Sequence, residues 1–150
     1  MNADIYTTEL DLEETKKAET FEELLAVALR IINRLSYPIG MVCGPITSGG
    51  TGSQEENVAK LARAIRALRE EQGEIIFNQL VFEAAMMRIK ETPYYRDALH
   101  LLEAFYRPLF EHGKIKTFYF VTGWKSSFGT NWEHEEAVRL GIKIVYLPEI

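Results

Sequence analysis

IGMVCGPITSGGTGSQEE, residues 39–56, is the stretch of the chain that decides the fold. Its first five residues, Ile39–Cys43, form an apolar run of strand length that does not alternate with polar residues, so they predict a β-strand buried on both faces. A glycine-rich loop follows. Ser53 and Glu56 then have the spacing of a capping box, which predicts the start of a helix that runs to about Gln72. A buried strand followed by a loop and a helix indicates an α/β fold.

Outward from this stretch, three further segments predict strands, and segments with helical periodicity separate them. The predicted strands are Glu74–Phe77, Ile115–Val121 and Ile142–Leu147, and the predicted helices cover 82–90, 94–110 and about 130–140. Pro108 must kink the second of these helices or begin a separate turn. No two strands are close enough in sequence for a hairpin, so they predict a parallel sheet with right-handed crossovers. The predicted fold class is a three-layer α/β sandwich of flavodoxin- or Rossmann-like type, with a parallel sheet of four or five strands.

The N-terminal region precedes this predicted core. Thr20 and Glu23 have the spacing of a second capping box, and the helix that they start should end before Pro38, because proline disfavours helical geometry in the residue before it. Residues 1–19 are polar and have no sustained periodicity, which predicts a loose arm. The chain is therefore predicted to be a single domain, 1–150, with an arm at 1–19, an additional helix at 20–36 and the core at 39–149.

Composition narrows the functional classes. With 22 acidic and 17 basic side chains the net charge is −5, which argues against sequence-independent binding to a nucleic-acid polymer. No apolar run has the length of a membrane span, and the N-terminus lacks the features of a signal peptide. The single cysteine, Cys43, cannot form an internal disulfide, and His100, His112 and His134 lack metal-ligand spacing. We therefore expect a cytoplasmic protein with no membrane partner, no metal and no cofactor.

The glycine-rich loop does not match the common nucleotide-binding motifs. The stretch Gly44 to Gly50 matches the glycine spacing of a Walker A loop, through Gly44 and Gly49, but Gly50-Thr51 stands where that motif requires Lys-Ser or Lys-Thr. Gly50 and Gly52 begin a dinucleotide fingerprint, but Glu55 occupies the position of its third glycine. The sequence therefore favours neither a P-loop NTPase nor a standard NAD site.

A second glycine-containing loop, Gly123–Glu133, follows the third predicted strand. Ligands of open parallel sheets bind beyond the carboxyl ends of the strands, and helix N-termini attract anions, so both loops favour a phosphate-bearing small molecule. Ser127 and the amides of Gly129 and Thr130 could hold a phosphate without a basic side chain. The alternative is a structural capping box, in which Thr130 caps the helix and Glu133 returns a hydrogen bond.

Two motifs together resemble a known enzyme group. CGPITSGG, residues 43–50, and GWKSSFGTNWE, residues 123–133, with Ala137 and Gly141 after them, are similar to the nucleoside 2-deoxyribosyltransferase superfamily, which includes the nucleoside 5′-monophosphate N-glycosidases. The resemblance covers about Ile39–Glu149. It implies an enzyme that acts on a nucleotide or nucleoside and cleaves the bond between base and sugar, and it implies a homodimer or a higher homo-oligomer.

The resemblance also assigns roles to residues of this chain. Glu133 is implied to be the nucleophile that forms a glycosyl ester, and we expect its position near a helix N-terminus to keep it ionised. Ser127, six residues earlier, resembles the serine of the members that bind a 5′-phosphate. The residues implied to line the sugar and phosphate are Gly44, Pro45, Ile46, Gly49 and Gly50, and those implied to face the base are Asn78 and Gln79.

Two departures keep a different function open. The superfamily commonly carries aspartates that act on the leaving base, at positions that align near Lys116 and Pro108 in this chain. A non-catalytic nucleotide-binding or nucleotide-sensing module of the same fold is therefore the alternative to an enzyme. The GT-x-x-E pattern also resembles the phosphoribohydrolases that release cytokinin bases, although the P-G-G that precedes it there has no counterpart here. Trp124 and Trp132 flank the predicted site, where either could stack on a base or pack in the core.

Overall fold

The computed structural model describes residues 4–149. In chain order the elements are α1 (Glu9–Lys17), α2 (Phe21–Arg34), β1 (Ile39–Cys43), α3 (Gln54–Gln72), a 3₁₀ turn (Gln79–Phe82), α4 (Glu83–Lys90), α5 (Ala98–Leu101), a π-helical segment (Leu102–Tyr106), α6 (Arg107–Glu111), β2 (Ile115–Phe120), a 3₁₀ turn (Trp124–Ser126), α7 (Phe128–Leu140) and β3 (Lys143–Tyr146). None of the helices described is long and apolar enough to cross a bilayer.

The chain forms two compact units and passes through each of them twice. The first unit comprises the chain up to Leu35 together with Gln79–Gly113, and the second comprises Ser36–Asn78 together with the chain from Lys114 onward. The second unit contains the whole sheet and both glycine-containing loops.

The sheet of the second unit is parallel, as predicted. It has three strands, in the order β1-β2-β3, rather than the predicted four or five. The predicted four- or five-stranded sandwich is therefore wrong, and a smaller open sheet stands in its place. The predicted strand Glu74–Phe77 is reduced to one parallel bridge between Gly40 and Ile76. The amide of Glu74 is bonded to the Leu68 carbonyl at the end of α3, at 3.0 Å, so the helix cap occupies the start of this segment. A 3₁₀ turn begins at Gln79, which leaves too few residues for a strand.

Helix ends account for most of the agreement between the predicted and observed elements. Both hydrogen bonds of the Thr20–Glu23 capping box are present at the start of α2. α3 begins after Ser53, whose side chain accepts a bond from the Glu56 amide. α3 ends at Gly73 and α7 ends at Gly141, both in the left-handed conformation that glycine adopts without strain.

The predicted loose arm is wrong for residues 9–17, which form α1, and its first three residues lie outside the described part of the chain. Thr8 and the side chain of Asp11 make a capping box, and the Asp11 carboxylate also accepts bonds from Arg30 at 2.7 and 2.9 Å and from Arg34. Asp11 is 1% exposed. Burial by itself would raise the pKa of Asp11, but the bonds from Arg34, the Thr8 backbone and Arg30 outweigh it and hold the pKa well below its usual range.

The predicted helix over 94–110 is divided into three short segments. The side chain of Asp97 caps the first, and the chain widens into a π-helical segment at Leu102–Tyr106 before Pro108, which lies in the first turn of α6. A proline inside a regular α-helix removes a hydrogen bond and clashes with the carbonyl four residues earlier, and a wider turn relieves both problems. The buried side chains of this region in the first unit include Phe105, Leu109 and Phe110.

We expect Asp11→Asn to lower the free energy of unfolding at pH 7 by about 2–4 kcal/mol, because two guanidinium groups lose the buried carboxylate that they bind. In the unfolded chain Asp11 takes up its proton around the ordinary aspartate pKa of 3.8, whereas the folded protein keeps it ionised. The stabilisation is therefore present above about pH 4 and is lost as the pH falls further. Chemical unfolding at pH 7 and pH 3 should show a difference between wild type and variant that shrinks in acid.

Glu14→Gln is the matched control, since Glu14 pairs with the same Arg30 at 2.8 Å but is 45% exposed. Its cost should stay below about 1 kcal/mol, as is usual for exposed ion pairs. Equal losses in the two variants would show that burial of Asp11 does not matter.

Candidate functional site

The candidate site lies where the order of the strands reverses. β1 is bridged to Ile76 on one edge and pairs with β2 on its other edge. The carboxyl ends of β1 and β2 are level, with Cys43 paired to Phe120. Ligands of open α/β sheets bind beyond the carboxyl ends of the strands at such a reversal. Both glycine-containing loops start at these carboxyl ends of β1 and β2.

The first loop is held in shape by a buried asparagine in the first turn of α3. Asn57 is 3% exposed. Its Nδ2 donates to the carbonyls of Ile46 and Gly49 at 3.1 and 3.2 Å, and its Oδ1 accepts from the amide and hydroxyl of Thr51 at 3.0 and 2.9 Å. Asn57 therefore satisfies backbone groups on both sides of the Gly49-Gly50 pair. All four bonds stay within the second unit.

The glycines at 49 and 50 are required by both conformation and space. Their φ angles are +70° and +62°, in the left-handed region that side-chain-bearing residues rarely adopt. A Cβ on Gly49 would lie 2.3 Å from the backbone oxygen of Ser126 in the second loop. The glycines thus allow the first loop to contact the second directly.

A serine hydroxyl joins the two loops. The amide of Gly50 donates to Ser126 Oγ at 2.6 Å, and this hydroxyl donates to the carbonyl of Gly123 at 2.7 Å. Asn131 on α7 also supports the second loop, because its Nδ2 donates to the carbonyls of Lys125 and Ser127, each at 2.8 Å. The structure therefore brings the two predicted glycine-containing loops together.

The predicted capping box at Thr130 and Glu133 is wrong, because α7 begins earlier. Ser127 is the N-cap, and its Oγ accepts a bond from the Thr130 amide at 3.3 Å. Gly129 and Thr130 are the second and third residues of the helix, and Ser127 and Thr130 are buried. The three residues predicted to hold a phosphate are thus grouped at the N-terminus of α7.

Glu133 lies in the second turn of α7 and is 8% exposed. The thiol of Cys43, the last residue of β1, donates a hydrogen bond to its carboxyl group. Burial raises the pKa of Glu133 to about 8, and the Cys43 bond only partly offsets this. The expectation that a helix N-terminus keeps Glu133 ionised is therefore wrong: Glu133 is too far along α7 for the helix dipole to outweigh the loss of hydration.

The ionisation of this pair limits the chemistry that it can perform. At neutral pH the Glu133 carboxyl is mostly protonated, and it can attack as a nucleophile only after losing its proton. Burial, followed by the nearby Glu133 carboxyl, also raises the pKa of the Cys43 thiol, which keeps it from acting as a thiolate. The pair can therefore donate protons in the free protein, and Glu133 can become a nucleophile once its surroundings favour the anion.

The remaining predicted site residues differ in burial and in the unit to which they belong. Gly44 and Pro45 are buried directly after β1, and Ile46 is half-buried beside them. Asn78 is half-buried in the second unit, whereas Gln79 is buried and starts a 3₁₀ turn in the first. The implied roles of Asn78 and Gln79 at the base therefore stay a prediction.

Sequence reasoning missed the two side chains that organise the loops, Asn57 and Ser126. Asn57 had an available signal, since it falls on the same helical face as the buried Leu61, Ile65 and Leu68, where a polar residue needs internal partners. Ser126 had none, because its partner Gly50 is 76 residues away in the sequence.

We expect Asn57→Ala to lower the free energy of unfolding by about 2–4 kcal/mol, because it removes four hydrogen bonds and leaves buried backbone groups without partners. Hydrogen exchange of the Thr51 backbone amide should also be faster in Asn57→Ala than in the wild type. Gln54→Ala changes an exposed residue in the same turn of α3 and should leave both quantities nearly unchanged. Slow exchange at Thr51 in Asn57→Ala would show that other contacts hold the loop.

Glu133 should also make stability depend on pH. Its pKa is about 8 in the folded protein against an ordinary glutamate value of 4.5, so the folded state holds the extra proton between these values. The free energy of unfolding should therefore fall with rising pH, by about 1.4 kcal/mol per pH unit from this group. Unfolding of wild type and Glu133→Gln from pH 5 to pH 9 tests this, and the variant should lose that slope.

Glu135→Gln is the control, because Glu135 is the exposed neighbour of Glu133 on α7. It should keep the wild-type slope. A slope that is identical in all three proteins would contradict the raised pKa.

Comparison with known proteins gives no relative: no protein-family model, no curated protein and no solved structure matches the chain. The resemblance of residues 43–50 and 123–133 to the nucleoside 2-deoxyribosyltransferase superfamily therefore stays a prediction.

Proposed function

We propose that the protein binds a nucleoside 5′-monophosphate at the carboxyl ends of β1 and β2 and cleaves the bond between base and sugar, with Glu133 as the nucleophile. The observation that carries the proposal is the position of Glu133. Its carboxyl group is hydrogen-bonded to the Cys43 thiol at the carboxyl end of β1. The two loops that Gly50 and Ser126 join begin at the carboxyl ends of β1 and β2. A buried carboxyl group beside two loops at a strand-order reversal favours a site with chemistry over a helix cap.

The phosphate would bind at the N-terminus of α7. The first amides of a helix and its dipole attract anions, and Ser127, Gly129 and Thr130 are the residues there. The Gly49-Gly50 turn approaches the same loop through Ser126 and would lie along the sugar. This arrangement needs no basic side chain, which agrees with the absence of a lysine from a Walker-type position.

The reaction would proceed in two displacements. The Glu133 carboxylate attacks the anomeric carbon and forms an ester as the carbon–nitrogen bond breaks, and the base leaves with that electron pair and takes a proton from solvent. Water, or a second base, then attacks the anomeric carbon, and the carboxylate is released. Positive charge develops on the sugar in both steps, and a nearby carboxylate stabilises it. The same positive charge favours the ionised form of Glu133.

A second candidate is a nucleotide-binding module without catalysis. Two observations favour it: Glu133 is mostly protonated at neutral pH, and Lys116 and Pro108 align near the positions where the superfamily carries aspartates. Lys116 is exposed, and its Nζ lies 5.5 Å from the ring centre of Tyr37. Lys116 is the second residue of β2 and so lies toward the amino ends of the strands, away from the carboxyl ends where a leaving base would need a proton.

Several expectations accompany either candidate without deciding between them. The resemblance implies a homodimer or a higher homo-oligomer, and the proposal includes a cytoplasmic location and no cofactor. The substrate would be a mononucleotide or nucleoside rather than a nucleic-acid polymer, because the net charge is −5.

Incubation with a panel of purine and pyrimidine nucleoside monophosphates, followed by chromatography, should detect free base. Glu133→Ala should reduce the rate by about 10³-fold or more, because the nucleophile is removed, while Glu135→Gln should retain it. kcat/KM should rise with pH through about 8 in the wild type, because only the ionised carboxylate attacks.

The alternatives give distinct results in the same assay. Thermal stabilisation by a nucleotide without base release would select the binding module. Base release that persists in Glu133→Ala would remove Glu133 from the mechanism, and a rate that falls as the pH rises through 8 would assign it the role of proton donor instead.

A further inference from the structure

A cavity lies beyond the carboxyl ends of β2 and β3 and borders the second glycine-containing loop. Its volume is about 570 Å³, within the range of roughly 300–1,000 Å³ that is typical of small-molecule sites. Its lining comes from the end of β2, the loop after it and the end of β3, including Phe120, Thr122, Trp124, Lys125, Tyr146 and Leu147. All these residues belong to the second unit. Neither Glu133 nor the Gly49-Gly50 turn lines this cavity.

Aromatic rings of similar orientation form one side of the cavity. Trp124 stacks on His134 with a centroid distance of 4.5 Å and an angle of 10°, and Tyr146 is within 18° of Trp124 at 6.0 Å. The Tyr146 hydroxyl and the Nε2 of His134 are hydrogen-bonded at 2.7 Å, which holds the two rings in register. Tyr146 is nonetheless 58% exposed. A planar ring entering the cavity would therefore meet preorganised aromatic surface.

The one charged side chain among the described residues that line the cavity is basic, although the chain as a whole has a net charge of −5. Lys125 lines it, with Nζ 5.6 Å from the ring centre of Trp124. Lys60 approaches from α3, where its Nζ donates to the carbonyl and hydroxyl oxygens of Thr122, both at 2.9 Å. The opposing carboxylate is Glu149, which lies 3.8 Å from Lys60 and is 71% exposed. Within residues 4–149, the charges of Lys60 and Glu149 offset each other, and the exposed ammonium group of Lys125 favours an anionic ligand.

We propose that this cavity binds a planar aromatic anion, whose ring stacks on Trp124 and Tyr146 and whose acidic group pairs with Lys125. The rings provide the flat apolar surface, and the exposed Lys125 side chain provides the charge at its edge. The inference does not rest on the proposed function, because it uses neither Glu133 nor the residues assigned to the phosphate and sugar and requires no bond cleavage; it assigns Trp124 to this ligand rather than to a base in the nucleotide site.

Binding can be measured with simple probes that carry no glycosidic bond. Two-dimensional NMR of the full chain resolves the indole N–H signals of Trp124 and Trp132, and Trp124→Phe identifies the first by its loss. The probes are 2-naphthoate, 2-naphthylmethylammonium and cyclohexanecarboxylate, which separate the contributions of ring and charge. We expect 2-naphthoate to shift the Trp124 signal in a saturable way. The affinities of the other two probes should be lower by at least about tenfold.

Variants test each contact. Trp124→Ala should abolish saturable binding of 2-naphthoate, measured by calorimetry. Lys125→Gln changes an exposed side chain that leaves folding intact, and it should remove most of the preference for 2-naphthoate over the ammonium probe. Lys143→Gln is the control, because Lys143 is an exposed lysine on β3 that does not line the cavity.

Three outcomes would overturn the proposal: no saturable shift at Trp124, equal binding of the aromatic and aliphatic anions, or a preference for the anion that survives Lys125→Gln. None of them bears on base release from nucleotides, so failure here is distinguishable from failure of the proposed function.

Discussion

Parallel pairing between β1 and β2 is the constraint on which the rest of the second unit depends. Parallel neighbours cannot be joined by a tight turn, so the chain that leaves the sheet at Cys43 must cross back to the end where β1 began before β2 starts at Ile115. The carboxyl ends of both strands then lie at the same end of the sheet, and the loops that follow them contact each other there through Gly50 and Ser126. The proximity of the two loops is thus a consequence of strand direction, and Asn57 determines the conformation in which the first loop reaches the second.

Folding and nucleophilic attack favour opposite protonation states of the buried Glu133 carboxyl group. A protonated carboxyl that accepts a hydrogen bond from Cys43 is compatible with a buried position, whereas its anion is costly there. Nucleophilic attack requires that anion. In the proposed reaction, a substrate that brings positive charge close to Glu133 would supply the missing compensation, and ionisation of Glu133 would then be coupled to substrate binding.

Local signals predicted much of the fold. Thr20 with Glu23, Gly73 and Gly141 each mark a helix end through bonds to residues a few positions away, so their spacing alone was sufficient. The failures involve contacts that are distant in sequence or choices between similar local options. Asp11 fell within the predicted loose arm because its partners, Arg30 and Arg34, lie on another helix. Ser127 and Thr130 both fit an N-cap, and only the position of α7 separates them. For the site, the two loops were predicted, but burial of Glu133 depends on β1 and could not be read from α7 alone.

The double passage of the chain through both units has a consequence for the order of folding. β1 pairs with a strand that begins more than seventy residues later, and α2 packs in its unit with the segment Leu102–Tyr106. Neither unit can complete its long-range contacts until most of the chain has left the ribosome, so early segments such as Ile39–Cys43 carry exposed apolar surface during synthesis. High contact order of this kind slows folding and gives a nascent chain a prolonged need for protection from aggregation.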